Sequence, residues 1–210
     1  MSLPIAVFIS GGGTTLRNLI AWQQRGQLDV DFRLVISSAA NAKGLEFASV
    51  ESIPQQVIAK KQFTDDQAYS EAMFQPCRDA GVELVVMAGF LKHVLIPTDF
   101  ENRVVNIHPS LIPSFCGAGM YGSRVHQAVL DFGAKLSGCT VHFVDNDFDH
   151  GPIIAQHACE VRGDDTAASL AARVFERECD ALPRVVQAIA EGRVSVTGRR
   201  VHTQPTERAS

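Results

Sequence analysis

The sequence predicts an α/β protein of Rossmann-like form: a mostly parallel central sheet, helices on both faces, and an antiparallel β-rich C-terminal part. Three observations predict it. Short apolar runs alternate with longer helical patterns through the first half of the chain, the order that builds parallel βαβ units. Several of those runs are apolar at nearly every position, as strands buried on both faces are. From Lys135 onward the texture changes to closely spaced β-rich segments, followed by one long helical pattern.

Segments 4–10, 32–37, 56–59, 83–88 and 103–107 read as strands, and 16–25, 44–52 and 65–80 carry apolar residues at helical spacing. Thr64 stands before Asp65 and Asp66 as a cap with acids in the first turn. Segments 137–144 and 152–161 are β-rich with an acidic connection between them. Residues 166–190 read as one helix, capped near Asp164 and Asp165 and ending before Gly192. Pro183 lies inside it and predicts a kink or break, because proline lacks the N–H a helix interior uses. Residues 194–201 form a terminal hairpin around Thr197 and Gly198. No repeat or linker interrupts the chain, so 1–202 reads as a single domain and 203–210 as a polar tail.

Composition bounds the function. A chain of 210 residues with 46% hydrophobic and 20% charged residues is an ordinary globular protein, large enough to need no metal or disulfide staple. A net charge of −4 argues against a nucleic-acid partner, which selects a basic face. The five cysteines are scattered with no C-x-x-C pair, as buried free thiols of a reducing compartment are. The N-terminus lacks a leader pattern, and no apolar run reaches the ~20 residues of a membrane span. The expectation is a cytoplasmic protein with no membrane partner; no pattern sets its oligomeric state.

Gly11, Gly12 and Gly13 follow the first strand and lead through Thr14 and Thr15 into an amphipathic helix. Glycines let the backbone approach an anion, and the helix N-terminus aims free N–H groups at it. This suits a single phosphate. The third glycine of G-x-G-x-x-G falls on Leu16, Ser37 and Ser38 stand where a ribose-binding acid belongs, and the Walker lysine is absent. A tight glycine turn without a ligand is the bland alternative.

The fifth strand ends in Asn106-Ile107-His108-Pro109-Ser110. Residues two apart in a strand share a face, so an amide and an imidazole stand together at the edge where open α/β sheets bind ligands. Such a pair can hold an oxyanion and handle a proton, as acyl transfer requires. A histidine capping the strand end is the structural alternative. The turn Asp145-Asn146-Asp147-Phe148-Asp149-His150-Gly151 supplies acids. It is no calcium loop, because His150 and Gln156 stand where glycine and glutamate are needed. The histidines and cysteines show no zinc spacing, so no metal is expected. A solvated acidic turn is one reading; the other is a carboxylate that faces His108, favours its charged form and relays protons. Spacing leaves the choice among the three acids open.

These motifs together resemble the folate-dependent formyltransferase family, and within it the branch whose acceptor is phosphoribosyl-glycinamide. Residues 9–13 resemble its phosphate loop, and Ala88-Gly89-Phe90 the segment entering its folate pocket. Residues 106–113, N-I-H-P-S-L-I-P, resemble its signature, and 138–152 its second half, ending in D-x-x-D-x-G-P. The resemblance implies that Asn106, His108 and Asp149 are catalytic, and that the formyl donor and co-substrate is 10-formyltetrahydrofolate. Gly12, Gly13, Thr14, Thr15 and Gly89 would bind the acceptor, with Glu178, in the run starting at Arg173, on its ribose. Leu91, Lys92, His93, Val94, Val104, Asn106 and Val144 would meet the folate. The sequence departs from the family's usual form in a shorter 91–106 stretch and a longer, glycine-bearing 115–126 run. Asp66 stands where an arginine is frequent.

Two other functions compete. A formyltetrahydrofolate hydrolase would use the same three groups with water as acceptor. It normally carries a regulatory domain ahead of the first strand, where this chain begins. The phosphate loop also favours a phosphorylated acceptor. A non-catalytic protein that binds a phosphoribosyl ligand would be expected to lose one of the three groups.

Overall fold

The computed structural model describes residues 1–205. Its strands are β1 (Leu3–Ile9), β2 (Val30–Ser37), β3 (Gln55–Val57), β4 (Leu84–Met87), β5 (Val104–His108), β6 (Leu136–Phe143) and β7 (Ile153–Glu160), followed by β8 (Val194–Thr197) and β9 (Arg200–Thr203). The first seven form one sheet in the order β3-β2-β1-β4-β5-β6-β7. Pairings from β3 across to β5 are parallel, and those of β6 with β5 and β7 are antiparallel. β8 and β9 make a separate hairpin. The helices are α1 (Thr14–Gln24), α2 (Gly44–Val50), α3 (Asp66–Asp79), α4 (Ser123–Phe132) and α5 (Ala167–Ala190). This is the Rossmann-like arrangement the sequence predicts.

The alternation of strand side chains explains why β1 is apolar throughout. Ile5, Val7 and Ile9 join Leu16 and Leu19 of α1 and Leu170, Val174 and Leu182 of α5 on one face. Ala6 and Phe8 join Tyr69, Met73, Phe74 and Cys77 of α3 on the other. A central strand covered on both sides has no polar position. Burying one side chain of the size of Phe8 contributes ~1.5–3 kcal/mol, so both layers anchor on this strand.

The chain runs outward from β1 to β2 and β3, then crosses back to β4 on the other side of β1. That reversal leaves a crevice outside the carboxyl ends of β1 and β4. Ser10 stitches it together. Its Oγ lies 2.8 Å from the Ser38 hydroxyl and accepts the Leu91 N–H at 2.9 Å.

Local details differ from the sequence reading. Asp65, not Thr64, caps α3 by accepting the Ala68 N–H at 2.7 Å. Thr166 caps α5 in a reciprocal pair with Ser169, while Asp165 holds Arg173 through two bonds of 2.7 and 2.8 Å. α5 runs unbroken through Pro183. The Cys179 carbonyl, orphaned four residues before the proline, accepts the Asn18 side chain of α1 at 2.8 Å. Helix α4 has no counterpart in the sequence reading. Cys77, Cys139 and Cys159 are buried free thiols, whereas Cys116 and Cys179 are half-buried. Of the tail expected over 203–210, Thr203 closes β9 and residues 206–210 lie outside the described residues. Among the described residues no helix is long and apolar enough to cross a membrane.

Candidate active site

A cavity of about 750 Å³ opens at this edge, walled by the loops after β1, β4 and β5, the approach to α4, and α5. The start of α1 forms part of the wall. Gly13 caps α1 at φ +68 with no side-chain bond, so the first-turn N–H groups lack a side-chain acceptor. Gly11, Gly12 and Thr15 line the cavity. Gly13 and Thr14 do not. A Cβ on Gly13 would meet Gly44 Cα at 2.3 Å, so glycine is needed there to pack α1 on α2, and Thr14 is exposed. Glu178 lines the cavity from α5, and burial pushes its carboxyl up to about 7.

β5 brings Asn106 and His108 to the same cavity. His108 is buried, and its Nε2–H donates to the Phe115 carbonyl at 3.0 Å. Nδ1 then faces Asp149 Oδ2 at 3.4 Å. A proton on Nδ1 makes an ion pair there, whereas a bare lone pair would oppose a carboxylate. The short bond to Asp149 comes instead from the Gly117 N–H, at 2.9 Å. Asp149 sits at φ +53, a left-handed backbone that Asp and Asn tolerate best among residues with side chains. Gly151 lets the turn close, since a Cβ there would meet the Phe143 carbonyl oxygen at 1.9 Å. Of the turn's other acids, Asp145 pairs with His150 at 2.8 Å and the Asp147 side chain is 83% exposed. The fold therefore brings Asp149 to His108.

The sequence reading missed His142. It stands opposite Asn106 in the antiparallel register of β5 and β6 and is buried. Its Nδ1–H donates to the Phe143 carbonyl at 2.7 Å, so Nε2 accepts one amide N–H of Asn106 at 3.2 Å. Asp149 Oδ1 lies 3.8 Å from the same nitrogen. Burial pushes His142 below the ordinary imidazole range, against the opposing pull of the Phe143 carbonyl and Asp149. A neutral His142 thereby fixes the Asn106 amide and leaves its second N–H free.

The remaining wall is mostly apolar. Leu91, Lys92, His93, Val94 and Val144 line it, as does Gly89 at φ +72. Val104 does not: it is fully buried in the layer beneath, among residues that include Val94 and Phe100. His93 faces Asp66 Oδ2 at 3.1 Å and the Asn146 carbonyl at 3.0 Å, with its ring 4.9 Å from that of Phe148. Lys60 and then His93 hold the Asp66 carboxyl below its usual range, so the charge of this departure from the arginine pattern is met locally. In the long loop, Gly117, Gly119 and Gly122 take positive φ, and Met120 and Tyr121 enter the wall. Among the described residues, no group of three or more His, Cys, Asp or Glu side chains could hold a metal ion.

A profile described as formyl transferase matches residues 3–186. The chain belongs to the formyl transferase family. This formyl transferase is 40% identical over 196 residues to the chloroplastic phosphoribosylglycinamide formyltransferase of Arabidopsis thaliana, covering 90% of this chain and 66% of that protein, just under two thirds of its length. It is 34% identical to the phosphoribosylglycinamide formyltransferase of Haemophilus influenzae, covering 90% and 88%. The crystal structure of glycinamide ribonucleotide transformylase 1 from Symbiobacterium toebii superposes with a TM-score of 0.91 at 35% identity, covering 97% and 95%.

Proposed function

We propose that this formyl transferase moves the formyl group of 10-formyltetrahydrofolate to the amine of 5′-phosphoribosyl-glycinamide, a step of de novo purine biosynthesis. One observation carries the reading. A single cavity joins an uncapped helix N-terminus, the Asn106–His108–Asp149 cluster and an apolar wall. Phosphate fits the first, a pteridine ring the last, and the chemistry falls to the cluster. The names of the Arabidopsis and Haemophilus relatives support it. We also read 1–202 as one formyltransferase domain and the cytoplasm as its compartment, the latter supported by the free thiols.

In this reading the glycinamide amine attacks the formyl carbon, and the carbonyl electrons move to oxygen. The resulting oxyanion accepts the free N–H of Asn106, beside the positive charge of protonated His108. Asp149 takes the proton of the incoming amine through water and passes it to N10 of the folate. The carbon–N10 bond then breaks as the carbonyl re-forms. Holding both substrates in one cavity supplies up to roughly 7–11 kcal/mol for ideal alignment. The test is folate turnover with and without phosphoribosyl-glycinamide. Turnover should require the acceptor; equal rates would select hydrolysis, and ligand binding without turnover a non-catalytic protein.

Two predictions probe the acceptor end. Thr15→Val should raise KM for phosphoribosyl-glycinamide and leave the folate KM unchanged, since the hydroxyl stands in the uncapped first turn of α1. A change confined to the folate KM would overturn that placement. Glu178 passes from acid to carboxylate near pH 7, and a carboxylate accepts ribose hydroxyls better. The acceptor KM should therefore fall as pH rises through about 7, and Glu178→Gln should flatten that step. The same shift costs stability as pH rises from the ordinary carboxylate range towards 7, because the folded state disfavours the charge. Glu178→Gln should accordingly raise Tm above pH 7. An identical KM profile in the variant would remove Glu178 from the acceptor site.

A further inference from the structure

The hairpin β8–β9 lies beyond residue 186, where the family match ends, yet it packs against β7 and reaches the acidic turn. Arg199 at its tip donates from Nη2 to the His150 carbonyl at 2.6 Å, and its Nη1 lies against the His150 ring, 3.1 Å from Nε2 and 3.5 Å from Nδ1. His150 Nδ1 lies 2.8 Å from Asp145 Oδ2, and Asp145 Oδ1 accepts the Asp147 N–H at 3.0 Å. Two directions are fixed. The guanidinium donates to the His150 carbonyl, and a carboxylate at Asp145 accepts, so His150 Nδ1 carries the proton. The result is a chain of contacts from Arg199 through His150 to Asp145, spanning the turn that contains Asp149.

Asp149 needs such support. Its backbone is held at φ +53, a conformation that persists where its surroundings fix it, and its next residue is His150. Its contact with His108 is a loose 3.4 Å, so small movements of the turn change the charge that His108 meets. The brace itself is exposed: the His150 side chain is 53% accessible, and exposed polar pairs add little to global stability. Its effect is local.

We propose that Arg199 is a positioning residue: the C-terminal hairpin holds the acidic turn through His150 and so sets the Asp149 carboxylate against His108. The kinetic part rests on the proposed transfer reaction, while a structural measurement stands apart from it. Arg199→Ala should lower kcat on the order of 10-fold, because displacements below an ångström in an aligned site cost less than the ~10²-fold of a full ångström. The acceptor KM should stay within about twofold. Arg199→Lys, which can still reach the His150 carbonyl but lacks the fork, should recover part of the loss. Added to Asp149→Asn, the Arg199→Ala change should cost less than about twofold more, since the group it positions is already disabled. By hydrogen exchange, amides of residues 145–151 should open faster in Arg199→Ala, with β1 and α5 unchanged and Tm preserved. An unaltered kcat, a full multiplicative loss on the Asp149→Asn background, or wild-type exchange at 145–151 would overturn the proposal. If the unmodified protein transfers no formyl group, the reaction assigned above fails, and the exchange measurement alone decides the brace.

Discussion

Asp149→Asn is expected to keep the fold and lower kcat by at least ~10²–10³-fold, the cost of losing one oxyanion-stabilising group at ~2.7–4 kcal/mol. The fold survives because Asn is nearly isosteric and also tolerates the left-handed backbone at φ +53. Its amide oxygen can still accept the Gly117 N–H that Asp149 takes at 2.9 Å. What disappears is the negative charge 3.4 Å from His108 Nδ1 and 3.8 Å from His142 Nε2. An amide NH₂ turned toward His108 suits a bare Nδ1 lone pair, the state that offers no positive charge to the reacting oxygen. The water-borne proton also loses its carrier. Asp147→Asn is the control, because that side chain is 83% exposed, and it should stay near wild type. Asp145→Asn should lose no more than Arg199→Ala, whose contact chain it terminates. Steady-state kcat alongside a thermal melt checks the set. A fall at Asp147→Asn as deep as at Asp149→Asn, with the fold intact, would mean that the wrong carboxylate has been chosen.

The parts of the molecule legible in the sequence are those set by local period. β1 and β4 show because a strand buried on both faces has no polar position, and Asn106 and His108 show because residues two apart share a face. α4 did not show. Its approach carries Gly117, Gly119 and Gly122, and three glycines in six residues read as loop. Val125, His126 and Val129 sit buried at helical spacing and Gly133 closes the helix at φ +76, which was the signal available. Pro183 misled for a different reason: the group that accommodates it, Asn18, is on another helix. His142 and Arg199 were invisible on the same ground. One is paired with Asn106 by cross-strand register, and the other is an exposed arginine in a hairpin turn whose partner is 49 residues away. Among three acids in one turn, spacing offered no choice; the resemblance singled out Asp149, and the fold brings that acid to His108.

Asn106→Asp should be the most damaging single-atom-scale change in the cavity, exceeding Asn106→Ala. The alanine variant removes one oxyanion donor and is expected to cost ~10²–10³-fold in kcat. The aspartate variant removes the donor and places a negative charge where the oxyanion forms, so its loss should exceed that range. It also turns a carboxylate oxygen toward His142 Nε2, which accepts the Asn106 amide at 3.2 Å. Two acceptors then face each other unless His142 takes a proton, which its burial opposes. A second carboxylate near Asp149 would compete with it for the positive charge of His108. All three consequences act on the transition state more than on bound substrate, so both KM values should change far less than kcat. The comparison is kcat for the two variants across pH, with circular dichroism to confirm the fold. At low pH, where the new carboxyl is protonated and can donate, Asn106→Asp should recover toward Asn106→Ala. Activity in Asn106→Asp equal to or above that of Asn106→Ala at neutral pH would show that no negative charge develops beside this residue, and Asn106 would lose its place as the oxyanion donor.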